Sequence, residues 1–241
     1  MSTSSLILIA ILFELALFGC GGKVPETRYY QLAAPTAGQQ GGDSVLVLEA
    51  LATDPAYDDE RIVYRTNPYR LDYYQYHRWS ASPGMMVGNY LESALEKSGK
   101  FRAVVREMTP DAPVVLGGRV VAIEEVDRSN TEWLGRIVLE LTLTDARTGV
   151  VLWTEQFEET EPLPAQNPEG LARALSAAMQ RIASRAAPVI GEHANRAHVA
   201  RRGDEARSST MLAPPLRGGT TDEEQASDRN VRRAPDGGRR L

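Results

Sequence analysis

The run Ile137-Val138-Leu139-Glu140-Leu141-Thr142-Leu143-Thr144 decides the fold. Its odd positions are all large and aliphatic, while its even positions are Val, Glu, Thr and Thr. This is the two-residue period of a strand with one buried face. Downstream, Asp145 to Gly149 reads as a hairpin turn, and Val151, Trp153 and Phe157 then share a face. Upstream, Val114, Leu116, Val120 and Ala122 alternate in a long strand ending near Val126, and Gly117-Gly118 within it marks a bulge or a close packing contact. Further back lie a short strand at Tyr29 to Leu32, an apolar strand at Val45 to Glu49, and a hairpin of Arg61–Tyr64 and Tyr69–Tyr76 astride Asn67-Pro68. Two stretches have a helical period. Ser82 caps the first, with Pro83 in its first turn, an apolar face of Val87, Leu91, Ala94 and Leu95, and Gly99 at its end. The second opens at Asn167-Pro168 and places Leu171, Leu175, Ala178, Met179, Ile182 and Ala186 on one side. The expected class is α+β: a mostly antiparallel sheet with two amphipathic helices packed on one face.

Both ends of the 241-residue chain depart from this pattern. Leu6 to Phe18 is apolar except for Glu14 and spans about 20 Å as a helix, short of the ~30 Å bilayer core but suited to a secretory h-region. It ends in Leu17-Phe18-Gly19-Cys20, which resembles a bacterial lipobox and implies acylation of Cys20, the only cysteine. The alternative is a buried N-terminal helix carrying a core thiol. No aspartate follows Cys20, which in enteric-type sorting implies the outer membrane. From Glu192 onward there is no aromatic residue, and ten arginines stand among eight acidic residues. The expected organisation is a signal peptide over 1–19, a lipidated terminus and linker over 20–27, one domain over 28–191, and a disordered Arg-rich tail over 192–241. That tail is either a solvated extension or a contact for anionic lipid or peptidoglycan.

Composition excludes several functions. One cysteine and three histidines leave no zinc cluster of the usual kind, and the net charge of −5 argues against nucleic acid as a partner. G-x-S-x-G, H-E-x-x-H, P-loop and Rossmann patterns are all absent, so no catalytic residue, metal or cofactor is expected. His77 reads as a packed or hydrogen-bonded histidine, and Asp58-Asp59-Glu60 as a solvated loop. The stretch from Tyr57 to Trp79 is different, because six of the nine tyrosines fall there, interleaved with Arg61, Arg65, Arg70 and Arg78. Strict alternation would direct Tyr73, Gln75, His77 and Trp79 to one side and Tyr74, Tyr76 and Arg78 to the other. Either one row packs and the second is an adhesive surface, or both rows are structural; Tyr, Trp and Arg are the residues enriched at interface hot spots. Trp133, in an expected turn from Asn130 to Gly135, is a second candidate contact unless it folds under its own loop.

Tyr29-Tyr30-Gln31-Leu32, Arg61-Ile62-Val63-Tyr64-Arg65, Tyr73-Tyr74-Gln75-Tyr76-His77-Arg78-Trp79, the Pro83-led helix and Gly99-Lys100-Phe101 together carry a resemblance. Over roughly Arg28 to Ala187 the chain is similar to the ABC-type transport auxiliary lipoprotein family, the PqiC-like proteins. That resemblance implies a non-enzymatic outer-membrane lipoprotein facing the periplasm, anchored in the inner leaflet through Cys20. It implies an MCE-domain periplasmic partner and, directly or through it, an ABC permease and ATPase that move lipid between membranes. Tyr74, Tyr76, Arg78 and Trp133 are then the expected partner-binding residues, with self-association as a further use of the surface. An outer-membrane assembly or secretion accessory, and a periplasmic lipid-binding carrier, are the alternative functions.

Overall fold

The computed structural model describes residues 25–36, 38 and 41–212. The expected signal peptide, the lipidation site Cys20 and the last part of the tail lie outside the described residues. Among the described residues, nine strands and two helices occur in the order β1 (Arg28–Tyr30), β2 (Val45–Leu48), β3 (Ala52–Thr53), β4 (Arg61–Asn67), β5 (Arg70–Trp79), α1 (Pro83–Glu96), β6 (Ala103–Val105), β7 (Val114–Asp127), β8 (Trp133–Asp145), β9 (Val151–Pro162) and α2 (Pro168–Leu212).

The alternating run quoted above forms β8, and Ile137, Leu139, Leu141 and Leu143 are all fully buried. Strand β7 pairs antiparallel with β8 along its whole length, from Val114↔Asp145 to Asp127↔Trp133. Strand β9 continues the sheet on the far side of β8. On its other edge β7 receives β2, β3 and β4 in parallel, each over only two or three residue pairs. Strand β5 pairs antiparallel with β4, and β1 and β6 are added in parallel to β5 and β2. The class is α+β, with an open mixed sheet in which the antiparallel ladders are the long ones.

Both helices enter one core. Val87, Leu91 and Leu95 of α1 and Leu171, Leu175, Met179 and Ile182 of α2 are fully buried together with the apolar face of β8. Burying each such side chain contributes about 1.5–3 kcal/mol. Asn167 caps α2, its Oδ1 accepting from the Gly170 amide at 2.7 Å. Ser82 stands at the N-cap of α1 but its side chain makes no cap bond; its carbonyl accepts from Met86 instead. Two strand glycines are places of close approach. A Cβ on Gly118 would stand 2.2 Å from the Glu140 carbonyl, and one on Gly135 would meet Leu171, Ala174 and Leu175 at 3.2–3.3 Å.

The expected end of the ordered unit at residue 191 needs correction. Helix α2 runs without interruption through Pro188 to Leu212. Ala194 is buried, Arg196 pairs with Glu192, and Arg201 reaches both Glu205 and the Ala112 carbonyl. Lack of aromatic residues removes core-forming capacity, whereas Ala, Arg and Glu are strong helix formers that an existing helix recruits at little cost.

The strand directions give the sheet two ends. The β4–β5 hairpin tip, the turn 128–132 and the start of α2 share one end, where Gln166 Nε2 donates to the Asn130 carbonyl. The turn 146–150 and the last turns of α2 share the other, around a cleft lined by Pro113, Asp145, Arg147 and Arg201. Gly135→Val should force α2 off β8 and cost about 1–3 kcal/mol in urea unfolding, against little change for Gly149→Ala beyond the strain of its φ of 70°.

Candidate functional site

The β4–β5 ribbon is irregular where strict alternation was expected. Val63 pairs with Tyr73 but Arg61 pairs with Arg78, so two steps on β4 span five on β5. The added residues break the parity of the strand. Tyr74 and His77 consequently share a side, their rings in edge-to-face contact at 5.5 Å. Tyr64 lies 4.9 Å from Tyr74, and the Tyr30 hydroxyl is hydrogen-bonded to His77 Nδ1 at 2.8 Å. Tyr73 faces elsewhere, donating to the Ala56 carbonyl at 3.0 Å beneath the guanidinium of Arg61. Trp79 is buried in the core. Arg61 also grips Asp59, which holds that carboxyl below its usual range.

Beneath the ribbon, β7 presents two adjacent glutamates to opposite faces. Both are fully buried. Glu124 pairs across the strands with Arg136, on the face away from α2. It accepts from Arg65 Nε at 2.8 Å, Arg136 Nη1 at 2.8 Å and the Tyr57 hydroxyl at 2.7 Å. Burial and the bond to Glu124 push the Tyr57 hydroxyl up to about 12. Arg65, Arg128 and Arg136 line a cleft of about 430 Å³ between this carboxylate and the hairpin tip.

Glu125 pairs with Gly135, on the face packed by α2. Its Oε1 accepts from the Tyr74 hydroxyl at 2.7 Å. Its other oxygen, Oε2, and Asp127 Oδ1 are both buried without a partner. The two acids stand two residues apart on the same strand face and interact through their side chains. Two carboxylates there leave both oxygens orphaned, whereas one shared proton satisfies both. Burial first, then the Asp127 charge, pushes Glu125 up to about 7, and burial raises Asp127 as well. Tyr74 is raised by burial and by Glu125.

Of the expected contact residues, Tyr74 is half-buried and donates its hydroxyl to Glu125. Tyr76 and Arg78 are partly exposed, and Arg78 lies in register with Tyr29, which is largely exposed. Trp133 is not in a turn. It opens β8 opposite Asp127, half-buried, at the other edge of β7 from the ribbon. Sequence reasoning passed over Glu124, Glu125, Asp127 and Arg136; their signal was a pair of acids inside the apolar run Val120–Val126.

The profile of the ABC-type transport auxiliary lipoprotein component family matches residues 30–187. The chain belongs to that family. No curated protein matches. Among solved structures, a Xanthomonas campestris protein superposes with a TM-score of 0.60 at 19% identity, covering 74% of this chain and 99% of its own. A second, described as an uncharacterized protein, gives 0.57 at 16% identity, covering 69% and 99%. At these identities the likeness is one of fold. Among the described residues no helix is long and apolar enough to cross a membrane.

Glu125 and Asp127 are weaker acids in the fold than in the unfolded chain. A carboxyl that is protonated in the fold but ionised when unfolded loses stability as pH rises, here between about 4.5 and 7. Thermal unfolding followed by circular dichroism should show a falling midpoint across that window. Glu125→Gln, which keeps the bond to Tyr74, should flatten the fall; an unchanged slope would remove the shared proton from the account.

Proposed function

We propose that the protein is a non-enzymatic accessory lipoprotein of an ABC/MCE-type system that moves lipid between membranes. Acyl chains on Cys20 hold it at the inner leaflet of the outer membrane, facing the periplasm. Several chains on one cysteine anchor stably at ~0.8 kcal/mol per buried methylene, so no spanning helix is required. The permease and ATPase are engaged indirectly, through an MCE-domain periplasmic protein docked on the ribbon. Membership of the transport auxiliary family carries this reading. The site supports it by offering contact chemistry: an exposed Tyr29 and half-buried Tyr76 and Arg78 form a rim on a hydrogen-bonded base.

The docking surface is narrower than the alternation of β5 implied. Tyr74 holds Glu125 and belongs to the base, while Tyr29 joins the rim from β1. Hot-spot truncation typically costs 2 kcal/mol or more, and ~1.4 kcal/mol is tenfold in affinity. Combined Tyr29→Ala, Tyr76→Ala and Arg78→Ala substitution should weaken capture of an MCE-domain partner protein by at least about tenfold, with the unfolding midpoint preserved. Tyr74→Phe should leave capture intact and lower the midpoint. Full capture by the triple variant would refute the assigned rim. Separately, Cys20→Ala should move the protein from the membrane to the soluble fraction, and unchanged partitioning would refute the anchor.

A further inference from the structure

The hairpin tip carries the most exposed large side chain of those described. Tyr69, between Pro68 and Arg70, is 96% exposed. An aromatic ring held wholly in water at a tight turn packs against nothing in its own domain. Tyr is a residue favoured where one end of a side chain is apolar and the other wet, as at a bilayer surface.

The direction of the chain says what the tip faces. Strand β1 runs parallel to β5, with Arg28 opposite His77. Residues before Arg28 therefore enter from the side of the hairpin tip. Arg70 precedes His77 by seven residues, about 23 Å along a strand. Residues 20–27, extended, span about 26–29 Å. An extended tether is therefore long enough to reach the plane of the tip, and the turn 128–132 lies at the same end.

The chemistry of that end fits phosphate. The cleft there is lined by Arg65, Arg128 and Arg136, together with Thr66, Asn67 and the acids Glu124 and Asp127. Arg65 and Arg136 are braced by the buried Glu124, and Arg136 also reaches Glu158. Arg128 and Arg70 make only exposed pairs, with Glu132 and Asp72. Such surface pairs contribute 0–1 kcal/mol and exchange partners readily. Guanidinium groups engage phosphate oxygens in bidentate fashion.

We propose that this end of the sheet is a membrane-contacting surface, with Tyr69 in the phospholipid headgroup layer and the arginine cleft facing the lipid phosphates. The opposite end, with the last turns of α2, then projects away from the bilayer. This orientation rests on Cys20 as the point of attachment, so the test supplies that attachment chemically. The chain from residue 20 onward is coupled through the Cys20 thiol to a maleimide-bearing phospholipid, in vesicles of phosphatidylethanolamine and phosphatidylglycerol. Tryptophan emission is compared with and without brominated acyl chains for wild type, Tyr69→Trp and Val150→Trp. Val150 is also exposed but lies at the far end.

Tyr69→Trp should add a blue-shifted component quenched about twofold or more by the brominated lipid, and Val150→Trp should add an unquenched one. A water-like, unquenched reporter at 69, or equal quenching at both positions, overturns the surface. Mass spectrometry of the native chain extracted from membranes reads acylation of Cys20 separately, so failure of the anchor and failure of the surface are distinct results.

Discussion

A carboxylate with no access to water holds the middle of this domain together. Glu124 is tolerated at full burial because two guanidinium groups and a phenol converge on it. Those partners come from β4, β8 and the loop before β4, so one buried charge joins three separate segments to β7. The short parallel pairing of β4 with β7 covers only two residue pairs. The ionic contacts reinforce it, and so fix the place of the β4–β5 ribbon, including its rim and tip.

One extra residue decides which glutamate plays that part. Val120 pairs with Leu139 and Ala122 with Val138, leaving Val121 as a bulge. Without it, the inward set of Leu116, Gly118 and Val120 would continue through Ala122 to Glu124. With it, Ile123, Glu125 and Asp127 turn inward, and Glu124 turns out toward Arg65 and Arg136. Adjacent residues of one type therefore meet opposite surroundings. Glu124 faces two guanidinium groups, while Glu125 faces a phenol and a second acid, where burial pushes it up to about 7.

The architecture also separates tasks along the sheet. The chain enters at the end that carries the hairpin tip and the arginine cleft, the rim of Tyr29, Tyr76 and Arg78 lies along the β1–β5 edge, and α2 extends past the opposite end. A domain tethered at one end needs only to be stiff to present a fixed edge to a partner. Stiffness is supplied by the long β7–β8–β9 ladders and by a helix that packs closely over Gly135.

Much of the fold was legible in the amino-acid order. Strand β8, both helices and the family resemblance follow from residues close together, since a period of two or of 3.6 is a local property. Other features were not local. Strands β3 and β6 are two and three residues long, too short to show a period, and exist because β7 and β2 offer them an edge. That Tyr74 shares a side with His77 was not legible, because the irregularity of β5 arises from its pairing with β4. The tail boundary failed because aromatic content measures core formation and not helix continuity. The sequence by itself determined the long strands and the two helices and which face of each is apolar. Only the tertiary structure decided which glutamate meets the arginines, which tyrosines face solvent and which ends of the sheet coincide, because burial and ionic pairing depend on partners brought from distant parts of the chain.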